Sequence, residues 1–158
     1  MGFAPSSMQL TSPAFGAGGA IPTKHTGEGE DVSPAFDFVD VPEGTRSLAI
    51  VCHDPDAPLV LPARYGFVHW VLYNIPAEVR ALEEATEGFT AGPNDFGNVG
   101  YGGPMPPEGH GMHQYYFWLL ALSRDADLPA GLDLWSLLTE VHDDVIGMNR
   151  LVGTYRRD

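Results

Sequence analysis

The segment Gln114 to Leu122, QYYFWLLAL, is apolar at both strand parities. A strand with one wet face alternates polar and apolar residues, so a run apolar at both must be covered on both sides. It is expected near the middle of the fold. Further alternating or continuous apolar runs lie at Met8 to Thr11, Ser47 to Cys52, Phe67 to Ile75 and Leu151 to Tyr155, each bounded by Gly, Pro, Asp or Asn. One segment alone has strong helical spacing: Leu134, Leu137, Leu138, Val141, Val145 and Met148 share a face, with Asp133 placed to cap it and Asn149 to close it. A shorter helical turn is expected over Glu78 to Leu82. The expected architecture is a β-rich sandwich with one substantial helix, Leu134 to Met148, near the C-terminus.

A length of 158 residues suits one domain, read as residues 8–158 behind a loose tail of residues 1–7. Nineteen glycines and fourteen prolines make the chain rich in turns without reaching the level expected of disorder. Acidic side chains outnumber basic ones 21 to 8, and the formal charge of -13 disfavours nucleic acid and anionic membrane surfaces as partners. Cys52 stands alone, which excludes an intrachain disulfide and a thiolate metal cluster and fits a reducing compartment. With no apolar segment of spanning length, the expected location is cytoplasmic.

Three stretches carry candidate chemistry. In VCHDPDAP a strand runs into Asp54 and Asp56, two carboxylates close enough to raise each other's proton affinity, or to form an Asx turn. In FVHWVLYNIP, strict alternation puts His69 on the side of Phe67, Val71 and Tyr73, opposite Trp70. In GYGGPMPPEGHGMHQYYF, alternation puts His113 and Tyr115 on one face and Tyr116 and Trp118 on the other. The glycines and prolines just upstream, Gly102, Gly103, Pro104, Pro106 and Pro107, supply a stiff loop whose backbone can approach a ligand. It is neither a phosphate-binding nor a dinucleotide fingerprint, and the spacing of His110 to His113 is not the helical zinc pattern. A metal bound by Asp54, Asp56, His69 and His113 is a weaker alternative, and no metal or other cofactor is expected.

The ordered set DVSPAF, HDPDAP, FVHWVLYNIP, YGGPMPPEGHGMHQYYF and LVGTYRR resembles the phosphatidylethanolamine-binding protein family, also called the Raf kinase inhibitor protein family, in its compact bacterial and archaeal branch. The resemblance implies two antiparallel sheets with a helix near the C-terminus and a small-anion pocket. The matching positions are Asp54, Asp56, His69, His113 and Tyr115, rimmed by Gly102 to Pro107. The loop departs from the eukaryotic sequence, which weakens an assignment to kinase inhibition or to whole-phospholipid binding.

Tyr115, the two imidazoles and loop N–H groups are able to donate to a phosphoryl or carboxylate oxygen. The aspartates fit if one accepts from an imidazole or pairs with a ligand ammonium while the other carries a proton. Anion affinity is then expected to weaken as pH rises, through protonated histidine and a proton shared by the Asp pair. The preferred reading is a binding protein for a small anionic ligand: phosphate, a phosphorylated amine or a carboxylate. A protein partner such as a kinase and a homodimer are secondary expectations. The alternative is an enzyme using the Asp and His set for acid/base hydrolysis or isomerisation.

Overall fold

The computed structural model describes residues 5–57 and 65–158. Three short strands form one antiparallel sheet in the order β1–β2–β5: β1 (Gln9–Thr11), β2 (Phe36–Val39) and β5 (Ala81–Leu82). Five form the other, in the order β6–β4–β3–β7–β8: β3 (Ser47–Asp54), β4 (Phe67–Pro76), β6 (Thr90–Ala91), β7 (His113–Leu122) and β8 (Val145–Tyr155). Every strand pair is antiparallel. Helix α1 (Leu134–Val141) leads through a 3-10 turn, His142–Asp144, into β8.

The double-sided run behaves as its composition requires. From β7, Tyr115, Phe117, Leu119 and Ala121 enter the core between the sheets, where they meet Leu10, Phe36 and Phe38. Leu120 and Leu122 enter a second core on the opposite face, with Leu134, Leu137 and Val141 of α1. Phe36 and Phe117 anchor the inter-sheet core with ring centroids 5.1 Å apart, and Phe36 stacks on Trp70 at 6.1 Å. Each such buried large side chain contributes about 1.5–3 kcal/mol.

The helix is shorter than its spacing suggested. Asp133 does cap it, its side chain accepting from the Ser136 N–H at 2.8 Å. But Val145, Met148 and Asn149 belong to β8, which pairs with β7 from His113↔Tyr155 to Leu122↔Val145. That ladder satisfies the outer edge of β7 over its whole length, and it outweighs the helical periodicity of residues 145–148. Leu137 is buried where Leu138, expected to pack, is 38% exposed. The expected helical turn at Glu78 to Leu82 is a tight turn followed by β5, whose Leu82 pairs with Phe36. The outer edge of β8 is covered in turn: Ser6 N–H donates to the Met148 carbonyl, Gly18 N–H to Val152 and Ile21 N–H to Thr154. Residues 1–4 of the expected tail lie outside the described residues.

Val141 is fully buried between α1 and the five-stranded sheet. Val141→Asp is expected to lower unfolding free energy by about 3 kcal/mol or more, read as a fall in the urea midpoint.

Candidate functional site

Because β3 runs antiparallel to both its neighbours, its end and the starts of β4 and β7 meet at one edge of the sheet, with Asp54 opposite Phe67 and His53 opposite Tyr116. A cleft of about 250 Å³ opens there, on the inter-sheet side. Asp54, His69, His113 and Tyr115 form its polar part, while Ala57, Phe67, Phe96, Met105, Pro106 and Pro107 supply apolar walls.

His69 reaches the cleft through a β-bulge. Cys52 pairs with Trp70 and His53 with Val68, so His69 is an extra residue on β4 with no partner on β3. Strict alternation therefore fails, and the expected placement of His69 on the side of Val71 and Tyr73 is corrected. Those two enter the helix-side core with Val68, whereas the His69 ring lies 5.2 Å from that of Tyr115. An extra residue re-aims a side chain in this way because it shifts the pleat by one. Two reciprocal bonds hold the bulge: Gly102 N–H donates to the His69 carbonyl at 2.9 Å, and His69 Nδ1–H donates to the Gly102 carbonyl at 2.7 Å.

That second bond fixes the His69 tautomer and leaves Nε2 as an acceptor. Burial drives the His69 pKa down to about 4, so the ring is neutral at ordinary pH. His113 is held differently. Its Nδ1–H donates to Asp54 Oδ2 at 2.7 Å, and its Nε2 lies 2.7 Å from Nδ1 of His110. The other Asp54 oxygen accepts the Asp56 N–H at 2.8 Å. Burial raises the Asp54 pKa and the hydrogen bond from His113 opposes the rise. The Tyr115 hydroxyl is buried with no hydrogen-bond partner among the described residues. Burial, with the Asp54 charge adding to it, raises its pKa well above that of an ordinary phenol, so it stays a donor.

Of the residues singled out by sequence, Asp54, His69, His113, Tyr115, Pro106 and Pro107 line the cleft together. Asp56 does not: its carboxylate accepts the Gln114 N–H at 2.8 Å and ties the turn after β3 to the start of β7. The two carboxylates are held by different partners, and the Asp56 charge adds to the upward push on the Asp54 pKa. Gly102 acts through His69. Gly103 donates to Asp31 Oδ1 at 2.7 Å, and a Cβ there would stand 2.2 Å from the His25 carbonyl oxygen. The Pro104 carbonyl accepts from Gly27. These three anchor the loop behind the wall rather than line it. Among the described residues no cluster of three or more His, Cys, Asp or Glu side chains is arranged to hold a metal ion.

Sequence reasoning weighed His110 only for a zinc spacing, placed Met105 only within the Gly102 to Pro107 rim, and did not single out Phe67 or Phe96 as site residues. The signal for His110 was present in its position three residues before His113, within a glycine-flanked turn. For Phe96 nothing local signals the site, because it arrives from a distant loop and packs its ring 4.6 Å from Phe67.

A sandwich of this topology, with a mixed polar and apolar cleft at one sheet edge, is the frame of a ligand-binding protein. Residues 11–156 match the family described as Phosphatidylethanolamine-binding protein. A UPF0098 protein of Aquifex aeolicus is 40% identical, with 96% of this chain and 90% of that one aligned. One from Methanothermobacter thermautotrophicus is 39% identical, over 95% and 99%. Among solved structures, a homologue of the family from Chlamydia trachomatis, CT736, superposes with a TM-score of 0.89 at 36% identity, covering 96% of this chain and 98% of that one. Escherichia coli YbcL, described as a new member of the mammalian family, gives a TM-score of 0.86 at 31% identity, covering 97% of this chain and 100% of that one. The chain belongs to the phosphatidylethanolamine-binding protein family. No helix among the described residues is long and apolar enough to cross a membrane.

The buried neutral His69 has a consequence for stability. Its folded pKa lies below the ordinary 6.5, so between those values the unfolded chain binds the proton that the folded ring refuses. The stability is complete above about pH 6.5 and is lost as pH falls toward 4. From neutrality to about pH 5 the parent is expected to lose about 2 kcal/mol more than His69→Asn, which keeps a donor for Gly102 but cannot titrate. Urea unfolding at the two pH values measures the difference.

Proposed function

We propose that the protein binds a small organic oxyacid group that still carries one acidic proton, such as a phosphate monoester monoanion or an un-ionised carboxylic acid. A single juxtaposition supports this reading: the Tyr115 hydroxyl, a donor unpartnered among the described residues, beside the neutral His69 ring, whose Nε2 is an acceptor. One oxygen of such a group accepts from Tyr115 while its P–OH or C–OH donates to His69. A fully ionised oxyanion has no proton for His69 and meets the Asp54 carboxylate as a like charge. The apolar walls formed by Phe67, Phe96 and Met105 suit an organic substituent on the ligand.

The pH dependence keeps the direction expected from the sequence but acquires a different cause. His69 stays neutral and so supplies no positive charge; in this reading the proton that matters is assigned to the ligand. Binding without turnover is the preferred reading, because no Ser, Thr or Cys side chain is among the described residues lining the cleft and Cys52 is buried in the core.

Calorimetric titration with methyl phosphate and methyl sulfate, at about pH 6 and about pH 8, tests the reading. Methyl phosphate is expected to bind at the lower pH and to lose most of its affinity at the higher one. Methyl sulfate, which carries one charge and no proton, is expected to bind poorly at both. Equal binding of the two esters at the lower pH would sink the proposal.

Tyr115→Phe is expected to cost about 2 kcal/mol of methyl phosphate affinity, roughly thirtyfold. The same variant should leave the urea midpoint unchanged or higher, because it removes a buried unsatisfied hydroxyl. A loss of affinity accompanied by an equal loss of stability would instead mark Tyr115 as a packing residue.

A further inference from the structure

His110 is exposed, yet its ring touches the buried site. Its Nδ1 stands 2.7 Å from His113 Nε2, and the ring centroids are 5.0 Å apart. With His113 Nδ1–H committed to Asp54, the neutral form of this ring has its lone pair at Nε2, and in that form the contact runs from His110 Nδ1–H to His113 Nε2. The backbone is shaped to deliver this ring. Gly109 and Gly111, on either side, have φ of +70° and +91°, which a side chain rarely tolerates. The His110 N–H donates to the carbonyl of Pro107, itself part of the cleft wall. Gly109 N–H donates to the Arg157 carbonyl, and the Arg157 guanidinium donates to the Pro106 carbonyl and pairs with Glu108. The turn is thus pinned on its N-terminal side while its ring covers one nitrogen of the site.

Without His110 the cleft would offer a ligand two imidazole acceptors, Nε2 of His69 and Nε2 of His113. With it there is one. Resting on the binding reading above, we propose that His110 is a specificity-determining residue, an internal donor that fills the second acceptor and so selects oxyanions with one acidic proton over those with two. A phosphate monoester monoanion, with a single P–OH, satisfies the cleft as it stands. Dihydrogen phosphate has a second P–OH for which His113 has no lone pair left.

The test compares inorganic phosphate with methyl phosphate at about pH 6 by calorimetry, in the parent, His110→Ala and His110→Asn. His110 is exposed, so truncating it leaves the core intact. His110→Ala is expected to raise the affinity for inorganic phosphate relative to methyl phosphate about tenfold, the effect of one added hydrogen bond to a charged group. His110→Asn places an amide N–H near the position of Nδ1 and is expected to restore the parent preference. An unchanged ratio in His110→Ala, or an equal loss of both ligands, overturns the inference while leaving the binding reading standing. If the parent binds neither ligand, the binding reading fails and the inference with it.

Discussion

Everything in this structure follows from having to cover both faces of the β4–β3–β7 strand trio. Those strands are apolar on both sides, so neither face tolerates water, and the chain supplies two different covers. The three-stranded sheet closes one face through Phe36, Phe38 and Leu10, and the short helix closes the other through Leu134, Leu137 and Val141. Helix and small sheet are held mainly by this apolar burial, because their own hydrogen-bond ladders are short. The functional cleft lies where that coverage runs out, at the sheet edge where β3 ends.

At that edge the local problem is electrostatic. Asp54, His69 and His113 are each nearly inaccessible, and burying them costs free energy unless their polar atoms are paired. The two histidines solve this in different ways. His69 discards its charge, donating one N–H to a backbone carbonyl and keeping the other nitrogen as an acceptor. His113 lies against a carboxylate whose own ionisation is made harder by the same burial. In the reading proposed above, this site, which holds a neutral His69 rather than a cation inside a chain of charge -13, discriminates by counting protons rather than by attracting charge.

The bulge at His69 links these two levels. A regular β4 would send this imidazole to the helix side, beside Val71 and Tyr73, and the cleft would lose its acceptor. The extra residue costs one ladder position and is stabilised by the reciprocal pair with Gly102, so the glycine loop acts on the ligand site at one remove. Further along the same loop, Met105, Pro106 and Pro107 line the cleft and lead into the His110 turn. The C-terminal Arg157 holds it there.

The amino-acid sequence by itself determined the strand-rich class, the central place of Gln114 to Leu122, the Asp133 cap, and the alternation that sends His113 and Tyr115 to one face. These depend on local propensity and period, which a linear pattern carries in full. It also marked all four polar cleft residues, Asp54, His69, His113 and Tyr115, through motifs that jointly resemble one family. Where the helix stops, which side His69 takes, how Asp54 and Asp56 divide their work and why Phe96 meets Phe67 were decided by tertiary structure. Each depends on a partner distant in sequence: β7 claims residues 145–148 for its ladder, β3 skips one residue of β4, and Gln114 captures Asp56. A single strand's periodicity carries no information about the register of its neighbour, and register is what aims these side chains.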